Sequence, residues 1–290
     1  MARRSLRALS AALCLIAQPV LAQGPVQGLV QRAAQGQADL PDLAVMGTVP
    51  LYWGEADGIA DLVQGRAEPH WARSVLERTH TLLPLDRLDG ASLQGQQRLL
   101  LAQPRALTAA ENVALDDWVR GGGQLLLFAD PMLTGESRFG VGDRRRPQDV
   151  ILLSPILTRW GLRLDFADDQ PVGVRFGEIA GQPVPVNLPG RLAVLGDGSS
   201  CRLEAGGIAA SCAIGAGQAL VWADAAVLDL RHPDPASAAA LAALVRRAFA
   251  DSREIAGRSV DGTRETPENS HFEAMHAQQE PSSNAGPDPG

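Results

Sequence analysis

The chain has 290 residues and a formal net charge of −7, enough length for one large domain or two small ones. Its acidic balance argues against nucleic acid or an anionic membrane surface as the partner. With 45% hydrophobic residues, it has ample material for a buried core.

Residues 1–22 open with Arg3, Arg4 and Arg7, continue through apolar Ala12-Leu13-Cys14-Leu15-Ile16-Ala17, and end Val20-Leu21-Ala22 before Gln23. That is the layout of a cleavable signal peptide. The apolar run is well short of the roughly 20 residues that span a bilayer, and no later stretch is long and apolar enough to cross one. The mature protein is therefore expected in the periplasm, with no transmembrane span after cleavage.

Residues 23–251 read as one α/β domain. After a lead-in rich in Gln, Ala and Gly, Leu43-Ala44-Val45-Met46-Gly47-Thr48 forms a first strand that runs towards Trp53-Gly54-Glu55. A short helix is expected over residues 69–79, with Trp71, Val75 and Leu76 inward and His80 as a surface cation at its end. Leu82-Leu83-Pro84-Leu85 suits an edge strand, where proline is tolerated.

The clearest unit follows. Leu99-Leu100-Leu101-Ala102 reads as a strand buried on both faces. Thr108 with Glu111 three residues later is a capping box, and Val113, Leu115, Trp118 and Val119 recur at helical spacing until Gly121-Gly122-Gly123. Leu125-Leu126-Leu127-Phe128-Ala129 is a second buried strand, which delivers Asp130-Pro131. Such a βαβ unit belongs to an open α/β sheet, whose ligands bind at the strands' carboxyl ends. The loop over residues 132–150 is long for a compact domain. It carries Arg144-Arg145-Arg146 between Asp143 and Asp149, read as a solvated loop in preference to a phosphate site.

A helix is expected over residues 151–160, with Leu152, Ile156, Leu157 and Trp160 inward, and then a strand at Leu162-Arg163-Leu164. Residues 171–214 change texture to short alternating runs broken by Gly and Pro, a β-rich insertion. A two-residue turn at Gly206-Gly207 pairs positions whose numbers sum to 413, as 201 and 212 do. Cys201 and Cys212 then face each other across a hairpin of type I′ geometry, and a disulfide between them suits an oxidising compartment. Two cysteines without further ligands cannot close a zinc shell. A strand over residues 218–224 ends in Asp224, and a helix over residues 235–249 closes the domain. Residues 252–290 read as a disordered tail, and His271 and His276 within it as solvated.

The block Leu107 to Pro131, with the later strand ending in Asp224, resembles the class I glutamine amidotransferase-like superfamily. It is most similar to the non-catalytic branch that includes GldG-like auxiliary domains of uncharacterised ABC-type transport systems and domains of unknown function. The resemblance implies a three-layer flavodoxin-like sandwich with a mostly parallel sheet. It also implies a domain that binds a ligand or protein partner, with ABC transporter or other envelope proteins as candidate partners. Catalytic members need a cysteine nucleophile on a tight strand-to-helix elbow with a histidine and an acid. Here the turn after Phe128-Ala129 carries Asp130-Pro131-Met132, and no cofactor or metal is expected.

Candidate ligand-binding residues are Trp53, Glu55, Asp130, Asp143, Asp224 and His232, expected to converge above the strand ends. Asp130 and Asp224 are read either as site carboxylates or as caps of the following turns. The alternative function is a carboxylate- or metal-dependent hydrolase acting at these ends. No phosphate loop, metal-ligand set or G-x-S-x-G elbow occurs.

Overall fold

Five short apolar runs, each flanked by turn residues, build the parallel part of the sheet. The computed structural model describes residues 40–250 except 57, 59, 62, 63, 65–67, 197, 198, 230–232 and 234. The expected signal peptide, the lead-in up to residue 39, His232 and the expected tail lie outside the described residues. Strands β1 (Asp42–Gly47), β2 (Thr81–Pro84), β3 (Arg98–Ala102), β4 (Gln124–Phe128) and β11 (Gly217–Trp222) lie parallel in the order β2-β1-β3-β4-β11. The antiparallel strands β10 (Ala209–Ile214) and β9 (Cys201–Glu204) complete a seven-stranded sheet. The result is a mixed α/β fold with a mostly parallel sheet, consistent with a Rossmann- or flavodoxin-like arrangement.

The uninterrupted leucine runs have a direct cause. Leu99, Leu101, Leu125 and Leu127 enter one core cluster, while Leu100, Leu126 and Phe128 enter the other. A central parallel strand is buried on both faces, so every position must be apolar, and each buried leucine is worth about 2 kcal/mol. The cluster of Leu100, Leu126 and Phe128 includes residues of α1 (Trp71–Leu76) and α6 (Pro235–Ala248). The cluster of Leu99, Leu101, Leu125 and Leu127 includes residues of α2 (Gly90–Leu93), α3 (Ala109–Arg120) and α4 (Ser154–Arg159). Pro84 lies in edge strand β2, where the missing N–H costs nothing.

The capping box of α3 is formed: the Thr108 hydroxyl accepts from the Glu111 amide and the Glu111 carboxylate accepts from the Thr108 amide. Arg105 grips the same carboxylate through both terminal nitrogens, at 2.7 and 2.9 Å. Near the other end, Asp116 accepts from Arg120, Arg159 and the Trp160 indole, which ties α3 to α4.

Several local readings are corrected. Val113 is 60% exposed, because Leu115 and Val119 carry the buried face of α3. Leu152 is 53% exposed and precedes α4, which begins at Ser154. His80 is buried against Phe249 beside the Thr79 hydroxyl, and burial lowers its pKa, so it is no surface cation.

The β9–β10 register matches the expected pairing, with Cys201 opposite Cys212, and the two form a disulfide. The turn differs. Its four-residue connection, Ala205 to Ile208, takes Ala205, Gly206 and Gly207 through positive φ, so it is not a two-residue type I′ turn. The β-rich stretch also divides. Strands β6 (Arg175–Ile179) and β7 (Gln182–Val186) pair with each other, and β5 (Leu162–Asp165) pairs with β8 (Arg191–Val194). The β9–β10 hairpin instead extends the main sheet. Among the described residues no helix is long and apolar enough to cross a membrane.

Candidate functional site at the carboxyl ends of the strands

Strands β4 and β11 run parallel and end side by side, so the residues that follow them meet at one sheet edge. Asp130 and Asp224 are both fully buried there. Asp130 accepts from the amides of Met132 at 2.8 Å and Ala225 at 2.9 Å. Asp224 accepts from the amides of Ala226 at 2.6 Å and Asn187 at 2.9 Å. Asp229, the last residue of α5 (Ala226–Asp229), accepts from the Thr134 hydroxyl, which itself accepts from the Asn187 side chain. Three carboxyls thus tie the start of the long loop, the β7–β8 connection and α5 together. Both aspartates act as turn caps and, in addition, as long-range ties.

Burial makes these carboxyls poor acids. It pushes Asp130 up to about 6, its two amide donors working in the other direction. Burial and then the Asp130 charge push Asp224 to about 8 and Asp229 to about 7. Like charges in a dry pocket cannot all ionise, so near neutrality the cluster holds protons. A cavity of about 200 Å³ opens beside it, lined in part by Thr134, Glu136, Val174, Asn187 and Asp229. Among the described residues, no three His, Cys, Asp or Glu side chains are grouped to hold a metal ion.

The parallel strand order reverses at β1/β3, the topological switch point where such sheets form their crevice. The residues beyond these strands are Thr48 and Gln103. Gln103 is fully buried and left-handed, at φ 49°. Its side chain accepts from the Asp130 amide and donates to the Asp130 carbonyl, both at 2.8 Å, and donates to the Gln148 carbonyl at 3.0 Å. Thr48 donates its hydroxyl to the Gln103 carbonyl and accepts from the Gln148 amide at 2.9 Å. The turn between β3 and α3 therefore carries a buried, left-handed Gln103 whose amide joins β4 to the long loop.

The remaining candidates do not join the aspartate network. Trp53 is 52% exposed and meets Tyr52 edge-on at 4.6 Å. Glu55 accepts from the Ser137 hydroxyl and the Arg138 amide, so it anchors the long loop. Asp143 pairs with Arg145, whose hydrogen bonds pull its carboxyl down to about 2. His232 lies outside the described residues. With Cys201 and Cys212 in a disulfide, neither is a free thiol.

Sequence reasoning missed Thr48, Gln103, Asp229 and His70. His70 caps α1, its Nδ1 accepting from the Ala72 amide while Nε2 donates to the Leu228 carbonyl at 2.9 Å. Burial lowers its pKa and favours this neutral tautomer. The readable signal for Gln103 was a polar residue directly after the apolar run Leu99 to Ala102 and before Pro104.

No family model matches the chain, and no curated protein matches it. Solved structures similar to it include an exo-β-1,4-mannosidase from Opitutaceae bacterium strain TAV5, at 15% identity and TM-score 0.41. That alignment covers 83% of this chain and 38% of that one. A β-galactosidase from Rahnella sp. R3 aligns at 12% identity and TM-score 0.41, over 76% of this chain and 33% of the other. A ThuA-like protein from Bacteroides uniformis aligns at 9% identity and TM-score 0.40, over 75% of this chain and 96% of the other. The chain thus spans between 33% and 38% of these two glycosidase chains.

Proposed function

We propose that this chain is a periplasmic, non-catalytic domain of the three-layer, class I glutamine amidotransferase-like type. It binds a ligand or protein partner, as a GldG-like auxiliary to an ABC-type envelope transport system. One observation carries the reading: among the described residues, the strand-tip side chains are committed to hydrogen bonds and include no free cysteine thiol. The strained turn after β3 carries Gln103, whose amide is fully used by Asp130 and Gln148. Asp130 and Asp224 spend both carboxyl oxygens on backbone amides. The disulfide is compatible with an oxidising compartment, and the transport link rests on family analogy. Chemical cross-linking in intact cells followed by mass spectrometry tests that link. Recovery of an ABC-type permease or ATPase is expected, and its absence from the cross-linked products contradicts the transport role.

A second reading has its own support. Asp224 and Asp229, raised to about 8 and about 7, hold protons near neutrality, the range a general acid needs. A hydrolase built on them would need an open approach to a carboxyl oxygen, and the amide donors occupy those of Asp130 and Asp224.

A further inference from the structure

We infer that the cavity between the carboxyl ends of α3 and α4 and the strand pair β9–β10 binds a phosphate group, free or carried by a small molecule. It lies where β4 and β11 begin, at the opposite end of the sheet from their tips. The inference therefore goes beyond the reading above and does not rest on it. The cavity holds about 330 Å³, within the roughly 300–1,000 Å³ that small-molecule sites occupy. Arg120, Thr158, Arg159, Ser199 and Ser200 supply its polar wall. Among the described residues no acidic side chain lines it, in a chain of net charge −7.

The two arginines are held as a pair. Arg120 and Arg159 each donate Nε to the same Asp116 oxygen, at 2.9 and 3.1 Å. Two cations thus share one carboxylate, whose other oxygen is taken by the Trp160 indole. Among the described residues neither guanidinium makes a second hydrogen bond, which leaves its terminal nitrogens as donors for a ligand. Asp117, exposed on α3, acts on Arg120 by charge alone, screened by water. An arginine at the carbonyl end of a helix is stabilising without any ligand, and one pair to Asp116 would serve that purpose. A second guanidinium on the same oxygen brings like charges together, and an anion bound to both relieves the repulsion.

Hydroxyls extend the ring of donors. Those of Thr158 and Ser200 have no protein partner among the described residues. A phosphate offers three oxygens to such a ring, where a carboxylate offers two. The wall is fixed before any ligand arrives. Ser199 and Ser200 directly precede Cys201, which the disulfide ties to Cys212 of β10. Gly215, at φ 61°, brings the β10–β11 turn against the end of α3, where the Ala216 amide donates to the Arg120 carbonyl at 2.9 Å. A wall already in place lowers the ordering cost of binding.

The test titrates the full chain with sn-glycerol 3-phosphate, inorganic phosphate, glycerate and glycerol by isothermal calorimetry. Low ionic strength limits screening, and pH 8 keeps the phosphate doubly charged. Saturable one-to-one binding of a phosphate probe is expected, with glycerate at least tenfold weaker and glycerol silent. Tighter binding of the ester assigns the site to an organic phosphate, and tighter binding of inorganic phosphate assigns it to the free ion. Arg159→Gln, at a side chain 63% exposed, should keep the fold and weaken binding at least tenfold. Should that variant fail to fold, Ser200→Ala decides, with at least threefold weakening expected. Absence of saturable phosphate binding overturns the proposal, as does glycerate binding equally well. So does binding unmoved by a folded Arg159→Gln or, failing that variant, by Ser200→Ala.

Discussion

Replacing Asp224 by Asn tests the buried carboxyl cluster through the alkaline limb of stability. The carboxyl has an ordinary value of 3.8 in the unfolded chain and one pushed to about 8 in the folded protein, first by burial and then by Asp130. The native state therefore holds a proton that the unfolded state has released. Its stabilising contribution is full below pH 3.8 and is lost as pH rises through about 8. Between pH 6.5 and 9 the linkage gives a ceiling of about 2 kcal/mol, roughly 4–8 °C in melting temperature for a domain of this size.

Asp229, pushed to about 7, shares the window and is kept in the variant, so it leaves a residual slope. The chain contains no lysine and a single tyrosine, so few groups outside the cluster titrate there. His70 and His80, whose pKa values burial lowers, act below 6.5 and with the opposite sign. Asn cannot ionise, although its amide meets one of the two donors unfavourably at a cost of about 1–3 kcal/mol. The absolute stability of the variant is thus less informative than its slope. Calorimetric melting at half-unit pH steps should show the unaltered protein losing stability from pH 6.5 to 9 and the variant losing markedly less. A flat or rising profile for the unaltered protein, or an unchanged slope in the variant, would refute the reasoning.

Other outcomes follow from the same contacts. Glu111→Ala should cost about 2–3 kcal/mol in urea unfolding, because it breaks the α3 capping box and leaves Arg105 without its carboxylate. The Arg105 hydrogen bonds hold the Glu111 pKa at about 2, so in the unaltered protein that contribution is present above pH 4.5 and lost as pH falls towards 2. Gln103→Ala should destabilise by about 2–4 kcal/mol, since the Asp130 amide and carbonyl both lose a buried partner. The exported protein should show two hydrogens missing by non-reducing mass spectrometry. Cys201→Ser with Cys212→Ser should lower stability by about 2–3 kcal/mol, the loop between them being short.

The parallel core was legible because burial on both faces leaves no choice of residue: Leu99 to Leu101 and Leu125 to Leu127 announce β3 and β4. The Thr108–Glu111 box and the Cys201–Cys212 register were equally readable, since each depends on spacing within one element or one hairpin. The site was less so. Asp130 and Asp224 were visible as acids ending strands, but their amide partners at Ala225 and Asn187 come from segments far along the chain. Asp229 carried no signal in the sequence, lying between the strand that ends at Asp224 and the last helix. Gln103 depends on backbone strain, which composition does not encode. Trp53 and Glu55 were grouped with the aspartates because strand order alone brings loops to one edge. Side-chain direction then separates them: Glu55 turns to the long loop and Trp53 to Tyr52.

The non-catalytic reading is most directly tested by assaying the full-length protein and its Asp130→Asn variant on glutamine and on aryl glycosides, following ammonia and nitrophenol. The expected result is release at the buffer rate from both proteins. Release well above buffer by the unaltered protein, falling 100-fold or more in the variant, would contradict the claim that the strand-tip carboxyls only hold loops in place.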